Sequence, residues 1–178
     1  MNKNISILNI IEDTTVDGPG FRTSIYAAGC HHKCAGCHNP ESWNIGNGTD
    51  YTINEILNKV KQAELSNVTF SGGDPFYQID AFTELAKRIK AETNKTIWCY
   101  TGYLYEQVAT SKRLSQILPF IDVLVDGQFV ESLKDEDLQF IGSSNQRIID
   151  VKESLKAGRA IKWSNIFSLS HVTFTEVI

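Results

Sequence analysis

The sequence predicts an α/β fold, an incomplete (βα) barrel or a curved, mainly parallel sheet. Three observations predict it. Apolar, β-branched runs alternate with stretches of helical period along the chain. At 178 residues the chain is too short for a closed eightfold barrel, which takes about 250. The cysteine-rich and glycine-rich segments, at 30–37, 71–74, 101–103 and 126–127, each follow a strand candidate, where such folds carry their ligands.

Residues 5–11 are apolar and β-branched and read as the first strand. Asp17-Gly18-Pro19-Gly20 is a turn, and 21–28 form a second strand that runs into the cysteines. Thr52-Ile53-Asn54-Glu55 has capping-box spacing, and Ile53, Ile56, Leu57 and Val60 continue it at helical period. A strand over 67–71 ends at Gly72-Gly73-Asp74-Pro75. Ile79, Phe82, Leu85, Ala86 and Ile89 then mark an amphipathic helix. Residues 96–100 are a strand, 104–118 a helix stopped by Pro119, 121–125 a strand and 147–150 a further short strand. No repeat, linker or low-complexity tract interrupts the chain, so 1–178 is expected to be a single domain, with a tail of unassigned role from about 159.

Hydrophobic residues make up 42% of the chain and charged residues 21%, an ordinary soluble composition. A chain of this size buries roughly two-thirds of its unfolded surface without help from disulfides. The net charge of −4 argues against a nucleic-acid binder, which carries a basic face, and leaves a nucleotide-like cofactor open. No apolar run reaches the ~18 residues of a membrane span, and the N-terminus lacks a signal-peptide pattern. The expected compartment is a reducing cytoplasm, where closely spaced cysteines point to metal rather than to disulfide.

Cys30, Cys34 and Cys37 are spaced C-x3-C-x2-C. A cubic iron–sulfur cluster normally takes four thiolates, one per iron. Three would leave one iron open to a reactant, as a catalytic zinc keeps a free position. Structural zinc is the rival reading, with His31, His32 or His38 completing a Cys3His set. Cys99, flanked by Trp98 and Tyr100, reads as a buried apolar side chain rather than a fourth ligand. In Ser71-Gly72-Gly73-Asp74-Pro75 the glycines let a ligand approach the backbone, and Asp74 would suit an ammonium group. A tight turn with Asp74 as N-cap explains the same residues. Arg22 is expected either at a carboxylate or on the surface. Trp98, Tyr100 and Tyr103 read as core or as a wall for adenine stacking. Asp122, Asp126 and Asp150 lie near strand ends, as solvated carboxylates or as ligands for a ribose hydroxyl or a cation.

In combination these residues resemble the radical S-adenosylmethionine superfamily. The spacing of Cys30, Cys34 and Cys37 is similar to its cluster motif, and Ser71-Gly72-Gly73-Asp74 to its glycine-rich motif. More narrowly, the chain resembles the activating proteins of anaerobic ribonucleoside-triphosphate reductase. The segments that carry this are Asp17-Gly18-Pro19-Gly20-Phe21-Arg22, Cys37-His38-Asn39-Pro40, Thr101-Gly102-Tyr103, Val125-Asp126-Gly127-Gln128-Phe129 and Gly142-Ser143-Ser144-Asn145-Gln146-Arg147. The resemblance runs in order over about residues 5–150. Gly36 stands where the superfamily often has an aromatic residue, and Asp74 where its motif often ends in Glu.

The resemblance implies a sheet of the radical S-adenosylmethionine type and a [4Fe–4S] cluster held by Cys30, Cys34 and Cys37. It implies S-adenosyl-L-methionine bound by Gly36, Cys37, His38, Ser71, Gly72, Gly73 and Asp74, with Asn39, Thr101 and Asp126 as further contacts. The implied reaction is reductive cleavage of S-adenosylmethionine to a 5′-deoxyadenosyl radical, which generates a glycyl radical on the large catalytic subunit of the reductase. The electron would come from an outside donor such as a flavodoxin, and no side-chain acid or base is required. The site mouth is expected to be exposed and covered by the partner. Two other readings stay open: an activase of another glycyl-radical enzyme, such as pyruvate formate-lyase, and a zinc-stabilised binding module.

Overall fold

The computed structural model describes residues 4–164. Four strands run side by side in parallel: β2 (Arg22–Ala27), β4 (Asn67–Gly72), β5 (Ile97–Tyr100) and β6 (Val123–Asp126). β1 (Asn4–Thr14) pairs antiparallel with β2, and β7 (Arg147–Asp150) antiparallel with β6. β3 (Thr49–Thr52) lies outside β1 and antiparallel to it. The order across the sheet is β3-β1-β2-β4-β5-β6-β7. Among the described residues the sheet is thus mainly parallel and open, with β3 and β7 as its outermost named strands.

Among the described residues, four α-helices cover one face: α1 (Ile53–Gln62), α2 (Ile79–Glu92), α3 (Tyr105–Thr110) and α4 (Val151–Ala157). α1 starts with the expected capping box: Glu55 N donates to Thr52 Oγ1 at 3.2 Å, and Thr52 N to Glu55 Oε2 at 2.7 Å. The apolar stripes of α1 and α2 meet Ile25, Val68, Phe70, Ile97, Cys99 and Leu124 of the strands in one core. Because side chains alternate along a strand, the other phase of β2, β4, β5 and β6 faces away from the helices. There Trp98, Val123 and Val125 form a second, smaller core with Tyr100, Phe140, Ile148 and Trp163 packed against it.

Several expectations need correction. The helix expected over 104–118 is two elements, α3 and a 3-10 helix over Leu114–Phe120, with Pro119 inside the second. Thr110 Oγ1 donates back to Glu106 O at 2.8 Å, Ser111 is extended, and Leu114 N donates to the Ser111 hydroxyl at 3.3 Å. Hydroxyl side chains that bond the local backbone compete with helix continuation in this way. β3 and α4 are not evident from the sequence pattern, being a polar edge strand and a helix of only seven residues. Arg22 is neither at a carboxylate nor on the surface. It is 1% exposed and donates to Thr69 Oγ1 and Val68 O, both at 2.5 Å, with its guanidinium 5.4 Å over the Trp98 ring. Burial lowers its pKa to about 10.

The start of the tail has a place in the sheet. Asp150 N donates to Ile161 O at 2.9 Å and Trp163 N to Ile148 O at 2.8 Å, which sets Trp163 edge-on against Trp98. The rest of the tail, 165–178, lies outside the described residues. Among those described, no helix is long and apolar enough to cross a membrane.

Candidate functional site

The parallel strands end on the same side of the sheet, and the chain beyond each contributes to one cavity of about 380 Å³. Cys30, Cys34, Cys37, His38 and Asn39 come from the loop after β2, and Ser71, Gly72 and Gly73 from the end of β4 and its turn. Thr101 and Gly102 follow β5, and Gly127, Gln128 and Phe129 follow β6.

The cysteine loop is held by its backbone. Gly29 N donates to Ser42 O at 2.8 Å and Cys30 N to Trp43 O at 3.2 Å, anchoring the loop to a 3-10 helix over Pro40–Trp43. Lys33 and Gly36 take left-handed φ values of 47° and 69°, and Cys37 N donates to Cys34 O at 3.2 Å. The chain curls so that all three cysteines border the cavity. All three thiols are free, and burial raises the pKa of Cys30.

Among the described residues, no three His, Cys, Asp or Glu side chains gather closely enough to hold a single metal ion. A zinc ion needs its ligands about 2.0–2.3 Å from one point, whereas thiolates serving separate irons of a cubic cluster need not converge. Three free thiols around one cavity therefore fit a multi-iron group better than a lone zinc. Each of the three histidines packs on an aromatic ring, His31 on Tyr77, His32 on Tyr103 and His38 on Phe129, with ring centroids 4.3, 4.6 and 5.0 Å apart, and His32 and His38 also border the cavity.

The glycine-rich turn is sewn to the cysteine loop. Gly73 N donates to Ala27 O at 2.8 Å and Asp74 N to Gly29 O at 2.9 Å. Gly72 has a φ of 100°, and a Cβ there would lie 2.4 Å from Ala27 N, so glycine is needed on both counts. Asp74 does not border the cavity and is 2% exposed. Its Oδ1 accepts from Phe76 N at 2.8 Å, which is the N-cap role. Its Oδ2 accepts from Thr101 Oγ1 at 3.0 Å and Gly102 N at 3.2 Å. His32 Nε2 stands 2.9 Å from the same oxygen, with its N–H out of line for a hydrogen bond.

Gly36 and Asp126 also stand behind the cavity wall. Asp126 is fully buried and accepts from Tyr105 N at 2.7 Å and from Arg147 Nε and Nη2 at 3.0 and 2.5 Å. Asp122 accepts from Ile97 N at 2.7 Å and pairs with Lys90, and Asp150 caps α4 through Glu153 N. None of these carboxylates is the free ligand that the sequence allowed. Of the three aromatics, Trp98 is core, Tyr103 packs against His32, and Tyr100 borders the cavity while its hydroxyl donates to Phe140 O at 2.9 Å. Cys99 is fully buried, as expected.

The sequence reading missed Tyr26, Asp17, Gln128, Phe129 and Gln146 as cavity residues. The Tyr26 hydroxyl donates to the Asp17 carboxylate, and burial followed by that bond raises its pKa well above the ordinary tyrosine value. The signal for Tyr26 was its phase: 22, 24 and 26 face away from the helices, and 26 is nearest the strand end. Gln128 and Phe129 stand after β6 as Thr101 and Gly102 stand after β5, so the strand-end rule reaches them too.

Residues 16–149 match the 4Fe-4S single cluster domain family. An anaerobic ribonucleoside-triphosphate reductase-activating protein of Vibrio cholerae is 37% identical over 141 residues, 75% of this chain and 90% of that protein. The protein of the same name from Escherichia coli (strain K12) is 37% identical over 139 residues, 74% of this chain and 89% of its own length. That from Enterobacteria phage T4 is 36% identical over 139 residues, covering 75% and 86%. All three cysteines and the glycine-rich turn fall inside the matched 4Fe-4S span, and similarity of this extent decides the lineage: the chain belongs to the family of anaerobic ribonucleoside-triphosphate reductase-activating proteins.

Proposed function

We propose that this protein activates an anaerobic ribonucleoside-triphosphate reductase by generating a glycyl radical on its large catalytic subunit. The observation that carries the reading is one cavity bordered both by three free thiols and by a two-glycine turn. When bound, a [4Fe–4S] cluster and S-adenosylmethionine supply the hard chemistry: one electron splits the sulfonium S–C5′ bond, giving methionine and a 5′-deoxyadenosyl radical that takes hydrogen from the partner's glycine Cα.

The chain's own residues bind and orient. Cys30, Cys34 and Cys37 hold the cluster and leave one iron free. The backbone of 71–73 lies open to the amino-acid end of S-adenosylmethionine, with Cys37, His38, Asn39 and Thr101 around it. Asp74 and Asp126 act from behind, by fixing the loops. Gly36 completes the bend that presents Cys37. Phe129 and Tyr100 narrow the cavity and exclude water, which matters because a primary carbon radical is unselective and its target must be held close. On this reading the open sheet is an incomplete barrel of the radical S-adenosylmethionine type, and 1–178 is a single domain. The protein works in a reducing cytoplasm, with a donor such as flavodoxin delivering the electron.

The test is anaerobic reconstitution with iron and sulfide, then addition of S-adenosylmethionine and dithionite with a 5′-deoxyadenosine assay. Product in the wild type, and none from Cys34→Ala, is expected. Tightly bound zinc in a folded protein that makes no product would replace this reading with the binding module.

A further inference from the structure

His32 lies between Cys30 and Cys34, and its side chain is 9% exposed. Its imidazole meets all three loops that follow β4, β5 and β6. Nε2 is 2.9 Å from Asp74 Oδ2. Gln128 Nε2 is 3.1 Å from Nδ1. The ring packs edge-on to Tyr103, and a Cβ on Gly102 would lie 2.4 Å from its Cδ2, so the Gly102 backbone rests against the ring.

These partners are themselves held. Asp74 takes hydrogen bonds from Phe76, Thr101 and Gly102. Asn145 Nδ2 donates to Gln128 O at 2.8 Å and Gln146 Nε2 to Gly127 O at 2.9 Å. A side chain so gripped cannot move without the arc that bears it. The neighbouring His31 has a different setting, on the Tyr77 ring in the connection after β4.

We propose that His32 is a positioning residue: it locks the arc from Cys30 to Cys34 to the loops after β4, β5 and β6. The lock keeps the thiols in a fixed relation to the backbone of 71–73 and to Gln128. Its consequence for cofactor binding rests on the proposed function, but the lock itself is a property of the chain alone. The outer partners that orient metal ligands commonly matter about tenfold or more for affinity or activity.

The test compares wild type with His32→Ala and His32→Gln, the latter carrying an amide long enough to reach Asp74 and to fill the space between the loops. In the cofactor-free protein, hydrogen exchange of the peptide spanning 30–37 should quicken about tenfold in His32→Ala, with β4 and β5 unchanged. After reconstitution, the change that S-adenosylmethionine makes in the EPR spectrum of the reduced cluster should weaken in His32→Ala, and its Kd should rise about tenfold. His32→Gln should recover most of both. If His32→Ala does not fold, His32→Asn, too short to reach Asp74, takes its place and should fall below His32→Gln. Wild-type exchange in the alanine variant, or an equal loss in alanine and glutamine variants, overturns the proposal. A wild type that takes up no cluster defeats the proposed function instead, and the exchange measurement still decides the lock.

Discussion

The two faces of the sheet follow one backbone but do different work. On the helix-covered face Ile25, Phe70, Ile97 and Leu124 sit fully buried in a continuous apolar core. On the other face the next residues along the same strands are Tyr26, Ser71, Trp98 and Val125, a mixture of aromatic, polar and apolar groups that includes two cavity residues. The first face supplies burial, at roughly 25 cal/mol per Å² of apolar surface. The second gives up part of that burial to leave space for a ligand. A one-residue step therefore changes what a substitution should do: stability and activity fall together on the first face, whereas at the cavity residues of the second, Tyr26 and Ser71, activity should fall more than stability.

Phe70→Ala should have the largest effect on stability. Phe70 is fully buried and packs edge-on against Phe82 at 5.0 Å, so its loss should cost about 3–5 kcal/mol in urea unfolding. A cost below about 1 kcal/mol would break the division of the faces. Arg147→Met tests the boundary between them. It leaves Asp126 buried without its cation and should cost roughly 3 kcal/mol, the low end for a broken buried pair because Arg147 itself is 27% exposed. Unchanged stability would show that water reaches Asp126.

Tyr26→Phe sharpens the comparison from the cavity side. It removes the bond to Asp17 and should cost only about 1 kcal/mol in stability, while weakening S-adenosylmethionine binding measurably in titration calorimetry. Equal binding would remove Tyr26 from the site. The smallest effect concerns pH. The hydrogen bond from Arg147 lowers the pKa of Glu106, so this pair's contribution is fully present above the ordinary Glu value of about 4.3 and is lost as pH falls through the lowered folded value. Acid melts of Glu106→Gln should show a shallower loss of stability in that window. A slope identical to wild type would mean that the pair contributes nothing.

What was legible in the sequence was local. The Thr52–Glu55 capping box, the stripe of α2 and the position of each motif after a strand depend on neighbours within a few residues, and they stand in the structure as read. What was not legible depends on partners far along the chain. The N-cap role of Asp74 was one of its two readings, but its other partners, Thr101, Gly102 and His32, are brought to it only when the loops assemble. Asp126 and Arg147 find each other through the antiparallel pairing of β7 on β6. Arg22 is buried because Thr69 and the Val68 carbonyl satisfy it from the adjacent strand. Charged side chains are almost never fully buried unless paired, so without these distant partners nothing in the sequence gives a reason to bury them. The break at Ser111 is the exception: it is local, but hydroxyl competition is a weak signal beside a strong apolar stripe.

The most direct test of the account mixes the reconstituted, reduced protein with S-adenosylmethionine and the large subunit of an anaerobic ribonucleoside-triphosphate reductase, and records the EPR spectrum. The account predicts a doublet from one remaining α-hydrogen on the subunit, collapsing to a narrower line when its glycine is deuterated at Cα, together with 5′-deoxyadenosine and methionine. Cleavage of S-adenosylmethionine that proceeds fully while the subunit stays free of any glycyl signal would contradict it.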